Sequence, residues 1–126
     1  MFGRRPAVRR PRACQRRSPP ALKGGLRRVA VEGRSMEPAL RDGDWLIVAP
    51  LGGAPSPGEI VLARDPRQPE RLVLKRVASV QDGRCTLLGD RPDASTDSRV
   101  FGPVAVEDVL GRAVFRYAPL PRLGPI

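Results

Sequence analysis

The chain has 126 residues, enough for one ordinary domain and too few for a second substantial core. Its 13 glycines and 15 prolines argue against long regular helices, and the absence of histidine excludes a Ser-His-Asp triad, a Cys-His dyad and histidine metal ligands. The 23 Lys and Arg against 13 Asp and Glu give a formal charge of +10, all of it carried by residues 1–28, which hold ten basic side chains and no acid.

In chain order, residues 1–28 read as a disordered basic arm. Pro6, Pro11, Pro19 and Pro20 oppose the amphipathic helix of a transit peptide, and recurring arginines leave no apolar stretch for a secretory signal. The arm is either a solvated tail or a contact for nucleic acid or anionic lipid. No aromatic residue in it beyond Phe2 offers a stacking platform, so the solvated tail is the reading taken and no nucleic-acid partner is expected. Short strands follow at 29–31, at 45–48 after the turn Arg41-Asp42-Gly43-Asp44, at 60–63 after Pro57-Gly58, and at 71–80. Asp82-Gly83 marks a tight hairpin whose return strand is 85–88. Residues 104–109 are ambiguous, 111–117 form a last strand, and 120–126 a flexible tail. The expected class is all-β: one domain over 29–119, built from short, mainly antiparallel strands. No segment approaches the roughly 18–20 apolar residues that span a bilayer, so no transmembrane anchor is expected. Cys14 and Cys85 are too few for a thiolate metal site; free thiols, a cytoplasmic setting and a monomer are expected.

A hydrolase without histidine must take its base from a carboxylate or from a lysine held neutral. This chain uses 21 arginines and two lysines, Lys23 in the arm and Lys75 in the apolar run Leu72-Val73-Leu74-Lys75-Arg76-Val77. Strand alternation puts Lys75 on the face of Val73 and Val77, where desolvation lowers an amine's pKa, whereas arginine is not deprotonated in practice. The competing reading is a snorkelling edge residue. Ser35, after a strand and a glycine and shortly before Pro38, sits where a chain reversal can expose a hydroxyl beside free backbone N–H groups; otherwise it merely caps a helical turn. Residues 89–99 form a polar segment directly after a strand, either an ordinary loop or the source of a hydroxyl that orients a lysine amine.

Together these segments resemble the Ser/Lys signal-peptidase family of serine proteases. The resemblance lies in Ser35-Met36-Glu37-Pro38-Ala39-Leu40 with Gly43-Asp44, in Lys75-Arg76-Val77, and in Gly89-Asp90 through Ser95 to Asp97-Ser98-Arg99. The ending Val109-Leu110-Gly111-Arg112-Ala113-Val114-Phe115-Arg116-Tyr117 is also similar to the family's closing strand. The resemblance implies an all-β endopeptidase needing no metal or cofactor, with Ser35 as nucleophile, Lys75 as general base and Ser95 as the hydroxyl orienting the amine. It also implies a buttressing ion pair, Asp97 with Arg99. Gly33 falls where some members carry an oxyanion-hole serine, so backbone N–H groups, chiefly that of Ser35, take that part here. Ala39 and Arg91 replace the usual Thr and Asn. A compact chain without a membrane segment is most similar to the nickel-type superoxide dismutase maturation protease branch. The implied substrate is a protein precursor bound as an extended strand near 29–33, its N-terminal leader being removed. The alternative is a signal peptidase acting on exported preproteins through peripheral membrane contact at 45–51 or the arm. A more remote one is a basic nucleic-acid-binding β-barrel, which the charge balance from residue 29 onward disfavours.

Overall fold

The computed structural model describes residues 25–126; most of the basic arm, with Lys23 and Cys14, lies outside the described residues. The fold is one antiparallel sheet of eight strands: β1 (Arg27–Ala30), β2 (Trp45–Ala49), β3 (Ile60–Asp65), β4 (Gln68–Gln81), β5 (Arg84–Leu88), β6 (Val104–Ala105), β7 (Val109–Ala118) and β8 (Gly124–Pro125). The strand order is β1-β2-β7-β3-β4-β5-β6, and β8 pairs with β7. The all-β expectation holds, with strands longer than the apolar runs alone suggest.

The Asp-Gly turn forms as expected: Asp82 and Gly83 adopt φ of 54° and 75°, the positive-φ pair that matches the twist of a two-residue hairpin. The β3–β4 ribbon extends further than its apolar residues, because buried Asp65 accepts the Arg67 N–H at 2.8 Å and closes the tip around Pro66. Residues 72–75 of β4 are buried on both faces, as their near-continuous apolar run requires. Alternation sends Leu72 and Leu74 to one hydrophobic cluster with Val29, Val31, Met36, Leu40, Leu46 and Leu62. It sends Val73 and Val77 to a second, with Val61, Cys85, Leu87 and Val104. Val31, Met36 and Leu40 belong to the segment between β1 and β2, so the loop that carries Ser35 is itself part of the core. The free thiol of Cys85 is buried, and burial pushes its pKa up.

Arg27 and Arg28 lie in β1 rather than in the arm. The ambiguous 104–109 segment splits into β6, a 3-10 turn (Val106–Asp108) and the start of β7. The tail beyond Pro119 folds back: a 3-10 turn (Leu120–Arg122) leads into β8, which occupies the edge of β7 beyond its pairing with β3.

Candidate active site

Three segments meet at Ser35. The first is the loop between β1 and β2, which holds the serine half-buried between the core residues Val31 and Met36. The second is β4, whose Lys75 is 6% exposed and donates from Nζ to Ser35 Oγ at 2.8 Å. These two residues are 40 positions apart in sequence. Lys75 pairs in register with Val61 of β3, in the middle of the ribbon, so apolar strand neighbours surround the stem of the amine. The third is the segment after β5, where the Arg91 N–H donates to the Ser35 carbonyl at 2.8 Å.

Asp97 organises that third segment. Its carboxylate is fully buried and accepts the Gly89 N–H at 2.8 Å, the Ser95 hydroxyl at 2.7 Å and the Arg99 N–H at 3.1 Å. The Arg99 guanidinium closes on it with Nε at 3.0 Å and Nη2 at 2.5 Å. As N-cap of the short helix α1 (Ser98–Phe101), Asp97 is held in extended backbone, and the chain turns there. Burial works to raise its pKa. The Arg99 guanidinium, the Gly89 N–H, the Ser95 hydroxyl and the Arg99 N–H outweigh burial and hold it well below the usual carboxylate range.

Asp97 and Arg99 are thus ion-paired, and the one Ser95 hydroxyl proton goes to Asp97, leaving the lone pairs of that oxygen to face other donors. Gly33 stands apart. Its φ of 85° is a conformation that favours glycine, and its N–H donates to Asp42 Oδ1 at 2.8 Å, so that donor is committed within the loop. Among the described residues the Ser35 N–H makes no backbone hydrogen bond.

Further ties escaped the sequence reading. Arg76, next to Lys75 but on the opposite face, makes a two-pronged pair with Asp90, both distances 2.8 Å, and donates to the Gly58 carbonyl at 2.7 Å. Arg91, one of the two positions that depart from the family pattern, reaches Glu37 at 2.7 Å and so links the third segment to the serine turn a second time. The only local signal was, for Arg76, a charged residue beside Lys75 and, for Arg91, a charged residue within the polar 89–99 segment. Among the described residues no cluster of side chains could hold a metal ion.

The architecture and site define a small antiparallel β protein with a buried lysine amine on a half-buried serine hydroxyl. The model of the signal peptidase, peptidase S26 family matches residues 25–81 and 78–118, and the chain belongs to that family of serine-type peptidases. Among its relatives, a mitochondrial ATP-independent inner membrane protease subunit 1a of Arabidopsis thaliana is 34% identical over 115 residues, 71% of this chain and 68% of the relative. A mitochondrial inner membrane protease subunit 1 of Xenopus tropicalis is 31% identical over 121 residues, 78% of this chain and 72% of the relative. The protein of that name from Homo sapiens is 29% identical over 124 residues, 80% of this chain and 74% of the relative.

These relatives correct the expectation of a cytoplasmic setting. That expectation rested on cysteine usage and on the lack of an apolar span, whereas the relatives are by name proteases of the mitochondrial inner membrane. No helix among the described residues is long and apolar enough to cross a membrane. The observation assigns no compartment, because a protein can bind a membrane surface without spanning it.

Proposed function

We propose that the chain is an endopeptidase with a Ser35/Lys75 dyad that removes an N-terminal leader from a protein precursor. The observation that carries this reading is the 2.8 Å contact from the buried Lys75 amine to Ser35 Oγ. Lysine is a base only when neutral, and an apolar setting favours that form. In this mechanism Lys75 takes the Ser35 proton and the alkoxide attacks the scissile carbonyl. An acyl-enzyme forms as the leaving amine takes the proton back from Lys75, and water, activated by the same amine, releases the second product. The Ser35 N–H is the donor for the developing oxyanion. Ser95, its own proton given to Asp97, accepts a hydrogen bond from the Lys75 amine and aims it. β1 ends the strand order, and an end strand suits the addition of an extended substrate strand.

For the substrate we propose the precursor of a nickel-type superoxide dismutase, on the resemblance of this compact chain to that maturation branch. The names of the relatives favour a second reading, processing of precursors delivered to a membrane surface. Incubating the purified protein with each labelled precursor separates the two. Leader removal from the dismutase precursor alone supports the first, removal from an exported preprotein alone the second, and no cleavage of either overturns both.

Gly89 supplies a prediction about this site. A Cβ built on it would overlap the Ser95 hydroxyl and stand 2.9 Å from the Ser35 carbonyl oxygen. Ser95 cannot swing clear without leaving Asp97, and the Ser35 carbonyl is main chain. Gly89→Ala is therefore expected to lower kcat about 100-fold, since small displacements at a reacting pair are costly. Steady-state rates beside a thermal melt check this; a wild-type rate would show that the contact yields freely.

A further inference from the structure

The loop that carries Ser35 is closed at its neck. The Val31 N–H donates to the Asp44 carbonyl at 2.8 Å, and the Gly43 N–H to the Val31 carbonyl at 2.9 Å. Inside that neck the Asp44 carboxylate is 2% exposed. A carboxylate so placed is unfavourable unless charges and donors surround it. Its Oδ2 accepts the Arg41 N–H at 2.9 Å, Arg116 Nη1 at 3.4 Å and Arg122 Nη2 at 3.1 Å. Arg116 comes from β7 and also donates to the Ala39 carbonyl, within the loop, at 3.0 Å. Arg122 comes from the C-terminal tail, and its carbonyl accepts Arg116 Nε at 2.5 Å. Beyond Arg122 the tail is pinned again, by β8 on β7 and by the Ile126 N–H on the Val114 carbonyl at 3.2 Å.

The tail thus reaches across β7 and supplies one of the two guanidiniums that neutralise the neck of the nucleophile loop. We infer that residues 119–126 are a strap, and that Arg122, through Asp44 and with Arg116, is a positioning residue holding the loop so that the Ser35 hydroxyl stays on the Lys75 amine. The inference rests on the dyad reading above for its catalytic consequence, but not for its structural one. Met36 and Leu40 anchor the far side of the loop in the core. Release of the neck therefore changes the angle at which the serine turn is presented, rather than unfolding the domain.

The test compares the full-length protein with Arg122→Gln and Arg122→Lys, by residue-resolved amide exchange and by kcat and KM on whichever precursor the wild type cleaves. In Arg122→Gln the Val31 and Gly43 amides are expected to exchange about 10-fold faster while the Val77 amide, bonded to the Glu59 carbonyl just ahead of β3, is unchanged. The same variant should lose about 10-fold in kcat with KM within about twofold, as displacement of a reacting group predicts. Arg122→Lys, which keeps one charged donor for Asp44, should recover most of both. Unchanged loop exchange overturns the strap, and so does acceleration that includes Val77, which would mean general destabilisation. Faster loop exchange with unaltered kcat overturns the positioning role. An active Ser35→Ala protein sinks the dyad reading instead, and the exchange measurement still decides the strap.

Discussion

Ser35→Ala and Lys75→Arg are each expected to lower precursor cleavage by at least about 1,000-fold while leaving the domain folded. The serine variant removes the atom proposed to attack. Its side chain is half-buried in a loop whose anchors are Met36 and Leu40, so the loss of one hydroxyl creates no core cavity. The lysine variant discriminates more sharply. Arginine supplies a positive charge and a donor near Ser35 Oγ but cannot give up a proton. If charge alone mattered at this position, Lys75→Arg would retain much of the rate. Lys75 is 6% exposed, however, and the larger guanidinium has to fit among strand residues buried on both sides. Lys75→Met, of similar length and without charge, keeps the test decisive should the arginine variant melt early. Cleavage assays beside thermal melts check all three, and a folded Lys75→Arg or Lys75→Met protein of near wild-type rate would sink the dyad.

How far the molecule was legible in its sequence depends on the range of each interaction. Runs of apolar residues and the Asp82-Gly83 pair are local signals, and they located β2, β3, β5 and most of β4 and β7. The start of β4 was hidden by Pro69, which in sequence reads as a strand breaker, whereas the ribbon tip is closed by the side chain of Asp65. Register was less accessible still. A regular ladder from the Asp-Gly turn sets Arg76 opposite Gly89. A bulge between Val77 and Ser79 sets it opposite Leu88 instead, and Arg76 then grips Asp90 just beyond the end of β5. The strand face of Lys75 followed from alternation alone, yet its distance from Ser35 depends on how the β1–β2 loop is packed, which alternation does not describe. The ion pairs that tie the site together are the least legible: Glu37 to Arg91 spans 54 positions and Asp44 to Arg122 spans 78. A guanidinium near the C terminus carries no local mark of the carboxylate it will reach.

Asp97 carries the second large expectation, in stability rather than in rate. Because its carboxylate is held below its unfolded value of 3.8, the unfolded chain takes up its proton first as pH falls. The resulting stabilisation is fully present above that unfolded value and is lost as pH drops through the lower folded one. The wild-type melting temperature should therefore begin to decline below about pH 5 and continue to fall with further acidification. Asp97→Asn replaces one acceptor oxygen by an amide that meets the Gly89 N–H, the Ser95 hydroxyl or the Arg99 guanidinium donor to donor. At neutral pH the broken network is expected to cost about 3 kcal/mol, the lower part of the range for disrupting a buried charge pair, because the Arg99 side chain remains half exposed and rehydrates. For a domain of this size that is a fall of roughly 10–20 °C in melting temperature. The same variant should lose the acid-limb slope attributed to this carboxylate, so that wild type and variant converge as pH falls. Turnover of the folded fraction should drop far less than in Ser35→Ala, by about 10–100-fold, since in the proposed mechanism Asp97 acts on the amine by holding Ser95. Melting curves from pH 3 to 8 for both proteins, with rates taken well below each transition, read these effects separately. An Asp97→Asn protein as stable as wild type but as inactive as Ser35→Ala would assign Asp97 to the chemistry itself rather than to the scaffold that aims it.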